Sequence, residues 1–174
     1  MAKSITTVGR TGMGGFRIRV DFSQIKRNIT KLHRELSDRR EVLHDIAYKY
    51  MARKVIRRRF VAQGIPRWKK LAPSTIRRRR WKSKPILVQT GMLKRSATGG
   101  AGWVEVFYPA SHPRNVEFGS SIDYASDHDH PRGTKVGNIP GRPWSELTQE
   151  NVNTMRDMMV TWVEKKIRKV GATP

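Results

Sequence analysis

Three observations on the 174-residue chain predict an α+β fold. A segment near the start, "FRIRVDF" at 16–22, alternates apolar and polar residues with the period of a half-buried strand. Stretches with helical spacing of apolar residues lie on both sides of two further strand-like segments. No internal repeat and no domain boundary interrupts that order, which is the pattern of an α+β chain. The expected architecture is a small antiparallel sheet packed with long N-terminal helices and a C-terminal amphipathic helix, with long extended loops. Residues 16–171 are expected to form it as a single domain, between a flexible arm at 1–15 and a short tail at 172–174.

Each element has its own reason. "GRTGMGG" at 9–15 is too glycine-rich for regular structure and lacks the preceding strand and the lysine of a phosphate-binding loop, so an arm is expected there. In 16–22, Phe16, Ile18, Val20 and Phe22 share one face, with Arg17, Arg19 and Asp21 on the other. Ser23 can cap a helix on which Ile25, Ile29, Leu32 and Leu36 stack. After Ser37 a second helical stretch carries Val42, Leu43, Ile46, Ala47, Tyr50, Met51, Val55 and Phe60 as a broad apolar face, and stops at Gly64 and Pro66. This places Arg57 to Arg59 on its last turn, against the negative end of the helix dipole. A loop and a short helix starting near Pro73 follow, then strands at 102–109 and 115–125 and a long irregular loop at 126–145. Ser145 or Thr148 caps a final helix to about Val170, with Gly171 as its stop and Leu147, Val152, Met155, Met159, Trp162, Val163, Ile167 and Val170 as its stripe.

Charge narrows the function more than composition does. The net charge is +22, and there is no carboxylate between Asp45 and Glu105, a stretch that holds seventeen lysines and arginines. Such a field calls for an acidic partner: nucleic acid, an anionic surface or an acidic protein face. Its densest part is "STIRRRRWKSKP" at 74–85. Four consecutive residues on a helix spread over about 300 degrees, so Arg77, Arg78, Arg79 and Arg80 cannot all face one partner if that segment is helical. The residues expected to touch a partner or DNA are Arg57, Arg58, Arg59, Lys69, Lys70, Arg77, Arg78, Arg79, Arg80, Lys82 and Lys84. Trp68 and Trp81, set among them, could stack on bases, although Trp68 reads better as a core residue. No helix-turn-helix, zinc-finger or RNA-recognition signature accompanies them, so sequence-specific reading is not expected.

Other chemistries find little support. With no cysteine there is neither a thiol nucleophile nor a thiolate metal site. "DHDH" at 127–130 has metal-ligand residue types, but neighbours on an extended chain point to opposite sides, and a polar loop explains it as well. No nucleophile elbow, phosphate-binding loop or paired carboxylates suggest an enzyme, and no cofactor is expected. No apolar run approaches the roughly 18 residues of a membrane span, and the start does not read as a secretory signal.

Four motifs in order carry a resemblance. "WKKLAPSTIRR" fits W-x-x-L-x-x-x-T-x-x-R through Trp68, Leu71, Thr75 and Arg78. "ILVQTGMLKRS" follows through Ile86, Leu87, Thr90, Gly91, Leu93 and Ser96. "YASDH" supplies Tyr124, Ala125 and His128, and "IPGRPW" supplies Pro140, Arg142, Pro143 and Trp144. Over about 60–170 the chain thus resembles the phage virion morphogenesis family, the tail-completion or neck proteins of Mu-like and P2-like tailed bacteriophages. The resemblance implies a non-enzymatic structural protein of the virion, assembled in the host cytoplasm. It would complete the head-proximal end of the tail as a ring, hexameric by analogy with tail symmetry, around the DNA channel. Its partners would be itself and the neighbouring tail-terminator, tail-tube and head-connector proteins, with transient contact to genomic DNA and no membrane. The motif residues read as scaffold: Gly91 in a tight turn with positive φ, and Pro140 and Pro143 stiffening the entry to the last helix and holding Trp144 against it. The alternative is a sequence-nonspecific nucleic-acid-binding protein using the basic segment at 49–95.

Overall fold

The computed structural model describes residues 7–10, 16–19, 23–129 and 140–171, and divides the chain into two compact units. The first comprises residues 1–38 and 161–174, the second residues 39–160. The architecture is α+β, as the periodicities predict.

In the first unit, strands β1 (Thr7–Arg10) and β2 (Phe16–Arg19) pair antiparallel, with Thr7 opposite Arg19 and Arg10 opposite Phe16. A strand therefore occupies part of the expected arm. Gly9 and Arg10 sit in it because a glycine-bearing edge can still pair when an alternating partner lies a few residues on. Residues 20–22 of the expected strand lie outside the described residues. Helix α1 (Ser23–Ser37) has no buried residue; Leu32 and Leu36 are half-buried, whereas Ile25 and Ile29 stay 52% and 63% exposed. It packs with the end of α7 (Gln149–Val170), where Trp162 and Val170 are buried. Glu35 is 3.2 Å from Lys169 and 3.9 Å from Lys166.

The second unit is built on one long helical stretch. Helix α2 (Arg40–His44) runs without a break into a π-helical segment (Asp45–Ile56) and then α3 (Arg57–Ala62). The wider turn, in which the Arg57 N–H reaches the Ala52 carbonyl, shifts the apolar face. Val42, Leu43, Ile46, Ala47, Tyr50, Met51 and Phe60 are buried as expected, while Val55 is only half-buried and Ala52 and Ile56 take its place. Gln63 (φ 58°) and Gly64 (φ 98°) end the helix. A Cβ on Gly64 would lie 2.6 Å from the Trp68 ring, so glycine is required there.

Helix α4 (Pro73–Arg78) starts with proline in its first turn, and α5 (Met92–Ala97) starts from Gly91, whose φ is 77°. Strands β3 (Trp103–Tyr108) and β4 (Asn115–Ser120) pair antiparallel from Trp103–Ser120 to Tyr108–Asn115. Trp103 stacks on Phe118 at 5.7 Å and meets the edge of Tyr48 from the π-helical segment at 6.3 Å. Glu105 binds His44 across 2.9 Å. Where the sequence suggests a strand to 125 and then loop, β4 stops at Ser120 and a short helix α6 (Ala125–Asp129) follows. The rest of the expected loop up to 139 lies outside the described residues. Thr148 and Asn151 exchange side-chain to backbone hydrogen bonds at the start of α7 (3.2 and 3.1 Å), so Thr148 and not Ser145 is the cap. Leu147 and Val152, expected in the apolar stripe of this helix, are 50% and 43% exposed, because the inward position is taken by Asn151 bonded to the Tyr50 hydroxyl at 3.1 Å.

The core joins Ile56, Phe60, Trp68, Leu93, Ala97, Ala125 and Trp144. Trp144 is not laid on the last helix as the proline spacing suggests; it drops among these residues, 6.5 Å from Phe60, with its indole N–H donating to the Ala125 carbonyl at 3.3 Å. Removing so large a buried ring leaves a cavity as well as an orphaned carbonyl. Trp144→Ala is expected to cost about 3–5 kcal/mol of unfolding free energy. A urea titration against the parent checks this; a loss below about 1 kcal/mol would show that Trp144 does not anchor the core.

Candidate functional site

The basic segment does not form one uniform face. Arg57 and Arg58 are exposed on α3, as are Lys69, Lys70, Arg77, Arg78, Arg80, Lys82 and Lys84. No ion pair among the described residues involves any of these nine. Arg59 is a correction to the contact set: it is 2% exposed and donates to the Trp144 carbonyl at 3.4 Å. The reason is position, since it lies three residues after Ile56 and next to Phe60 on the buried side of the helix. Burial lowers its pKa, against the opposing pull of Glu146 and Asp129.

The arginine run is split three ways. Arg77 and Arg78 close α4 and point into solvent. Arg79 leaves the helix in extended conformation, is half-buried, and donates to the carbonyls of Lys84 (2.8 Å) and Pro85 (3.0 Å) and to Gln89 Oε1 (3.4 Å). It holds the 80–89 loop in place. Arg80 lies over the Trp81 ring at 4.9 Å, and that ring is 42% exposed. Trp68, by contrast, is 6% exposed and packs edge-on to Phe60 at 5.6 Å.

The motif residues converge on one cavity of about 370 Å³. Leu71 and Thr75 approach it from the α4 side, Leu87, Thr90 and Leu93 from the turn before α5 and α5 itself, Tyr124 and His128 from the start of α6 and α6 itself, and Arg142 from the irregular 140–144 segment. Arg79 completes the wall. Leu87 has φ 60°, an uncommon conformation for a side-chain-bearing residue, of the kind found where surrounding structure holds a site in shape. Trp68, Gly91, Pro143 and Trp144 serve behind it. Trp68 donates to the Pro143 carbonyl at 3.4 Å, and Asp129 accepts from the Trp144 and Ser145 amides at 2.8 and 2.9 Å. Arg142 itself donates to the Pro140 and Lys69 carbonyls, each at 3.4 Å.

This cavity is electropositive and short of partners. Arg142 is 4% exposed, and burial lowers its pKa, with repulsion from Arg79 adding to the effect. His128 is lowered by burial first and by Arg142 second, with Asp127 opposing. Arg142 Nε and His128 Nδ1 are buried without a hydrogen-bond partner among the described residues. Sequence reasoning missed Asp129, Gln63 and the structural role of Arg79. For Gln63, which accepts from the Ile86 amide at 2.6 Å, no local signal exists; for Asp129 the only hint was its place in "DHDH". Among the described residues no group of three or more His, Cys, Asp or Glu could hold a metal, and no helix is long and apolar enough to cross a membrane.

Four ordered motifs thus gather at and behind one small cavity of an α+β chain, and nine cations of the basic segment stand exposed outside any ion pair of the described residues. Residues 20–164 match the model of the phage virion morphogenesis family, and the chain belongs to that family. Comparison with curated proteins and with solved structures returns no significant match.

His128 supplies a test of the cavity's electrostatics. Its folded pKa lies below the ordinary 6.5, so the unfolded chain binds more protons once pH falls below about that value. The stability this contributes is fully present above the unfolded pKa and is lost as pH drops through the window between 6.5 and the lower folded value. His128→Gln should flatten that decline relative to the parent, read as urea midpoints from about pH 5 to 8. Identical pH profiles would show that His128 does not titrate with a lowered pKa in the folded chain.

Proposed function

We propose that this member of the virion morphogenesis family completes the head-proximal end of the tail and helps to form the head–tail junction as a ring around the DNA channel. The reading rests on the family match over 20–164 together with the ordered motifs, which is also what the neck-protein resemblance uses. The role is structural and non-enzymatic, in the virion. Its partners are further copies of itself, in a ring that follows the sixfold symmetry of a tail, and the adjoining tail-terminator, tail-tube and head-connector proteins. A closed ring needs a heterologous interface whose rotation returns to the start. The exposed cations Arg77, Arg78 and Arg80 on and after α4 suit an acidic neighbouring face, because no carboxylate of the described residues neutralises them.

One observation favours a second reading. Trp81 is exposed with Arg80 stacked on it, an arrangement that also suits an unpaired base beside a phosphate. On that reading the chain is a sequence-nonspecific nucleic-acid binder, or some of its cations touch DNA as it passes through the channel.

Two measurements separate the readings. Deleting the gene from the phage that encodes it, and imaging the lysate, should give filled heads apart from tails or tails with malformed upper ends; joined particles would remove the assembly reading. The triple reversal Arg77→Glu, Arg78→Glu and Arg80→Glu spares Arg79 and so the loop it holds. It should lower infectious yield by orders of magnitude while leaving the circular dichroism and thermal midpoint of the protein unchanged, and a normal yield would exclude docking through α4. If DNA is instead the main partner, log affinity for a duplex should fall with log salt by about 0.9 per phosphate neutralised, a steep slope that the triple reversal would reduce.

A further inference from the structure

We infer that the cavity between α4, α5 and α6 is a binding site for a protein carboxylate: an acidic side chain or chain terminus, flanked by apolar residues, presented by a neighbouring virion protein. The inference rests on the assembly reading only for the owner of that carboxylate.

Four features of the cavity lead to it. The first is unanswered charge. Arg142 and Arg79 both line it and repel each other, and among the described residues no Asp or Glu lines it with them. On α6, Asp127 opposes the lowering of the His128 pKa but is not part of the cavity wall, and Asp129 is already occupied by the Trp144 and Ser145 amides and the Ser145 hydroxyl. Two cations at one partly dry site are unfavourable until an anion joins them. The second is unused donors. A guanidinium has five N–H groups, and the two hydrogen bonds Arg142 makes to Pro140 and Lys69 are both long, at 3.4 Å. Its Nη1 and Nη2 each keep one N–H beyond these bonds, and a guanidinium with spare N–H groups takes a carboxylate through charge-assisted hydrogen bonds.

The third feature is rigidity. Arg79 is fixed by three acceptors, Leu87 is held at positive φ, and Arg142 is braced between two prolines, so little ordering is needed on binding. The fourth is the apolar remainder of the wall, formed by Leu71, Ile86, Leu87 and Leu93. It decides against a phosphodiester. A nucleotide would carry its sugar and its next phosphate into leucine-lined space, whereas a peptide can place an apolar neighbour there and its carboxylate on Arg142. A volume of about 370 Å³ accommodates one or two side chains and not a stretch of nucleic-acid backbone. His128 lines the same space, and its ring reports what enters it.

The test uses the full-length protein labelled with ¹⁵N and small probes, which avoid the nonspecific attraction of a +22 chain for polyanions. The Arg142 Nε–H and His128 ring signals are followed during titration with isocaproate, with the neutral isostere isocaproamide, and with dimethyl phosphate, all at one ionic strength. Saturable shifts at Arg142 and His128 are expected with isocaproate, with at least about tenfold weaker binding of the amide, because only the acid makes charge-assisted hydrogen bonds. Arg142→Gln should lose the response; should that variant fail to fold, the acid-to-amide comparison on the parent protein decides alone. Equal binding of acid and amide, absence of a saturable shift, or dimethyl phosphate bound as tightly as isocaproate would each overturn the inference, the last in favour of nucleic acid. A failed titration leaves the tail-completion role standing, and a phage that assembles normally without the gene leaves the carboxylate site standing, so the two ideas fail separately.

Discussion

Three rings, Phe60, Trp68 and Trp144, bring together parts of the chain that are otherwise far apart in sequence. Phe60 closes the long central helix, Trp68 follows the turn at Gln63 and Gly64, and Trp144 arrives from beyond the β3–β4 hairpin. Their polar atoms are satisfied by this same meeting: the Trp68 indole by Pro143, the Trp144 indole by Ala125, and the Trp144 carbonyl by Arg59. Aromatic burial supplies the driving force and these hydrogen bonds set the register, so a shift of one ring would leave several buried groups unpaired. The position of α6, of the 140–144 segment and therefore of the whole cavity follows from this packing.

That arrangement gives the basic segment a structural as well as an electrostatic meaning. Of the four arginines in a row, one becomes an internal tie for its own loop, one stacks on a tryptophan, and two remain at the end of a short helix facing water. Arg59 is likewise withdrawn into the core beside Trp144. The chain therefore uses part of its excess charge as hydrogen-bond donors to carbonyls, a role that guanidinium fills well because it has five directional donors and stays protonated. What is left over is, on the surface, a set of exposed cations outside any ion pair of the described residues and, in the cavity, Arg142 with donors to spare.

The family motifs make sense in this light. Trp68, Gly91, Pro143 and Trp144 are the supports; Leu71, Thr75, Leu87, Thr90, Leu93, Tyr124, His128 and Arg142 are the walls of a single space. Proteins of a virion morphogenesis family are built into a particle, and the positive φ of Leu87 and the position of Arg142 between Pro140 and Pro143 give this cavity a fixed shape.

The sequence by itself determined the α+β class, a helix from Ser23, a last helix reaching about Val170, two strands starting near 102 and 115, the glycine at the turn before α5, the burial of Trp68 and the family. Each of these is written in short-range periodicity, in turn chemistry, or in motif order. It also showed the surplus of charge, though not where that charge would go. Only the tertiary structure decided that Arg59 and Arg79 are internal, that Trp144 belongs to the core and not to the last helix, that Asn151 and not Val152 faces inward, and that scattered motif residues enclose one cavity. The reason is physical. A local period reports which side of a helix is apolar, but a π-helical segment alters that period, and an arginine's partners are carbonyls that carry no sequence signature. Those outcomes depend on contacts between residues up to 101 positions apart, as for Asn151 and Tyr50, and such pairs are fixed only when the chain closes on its core.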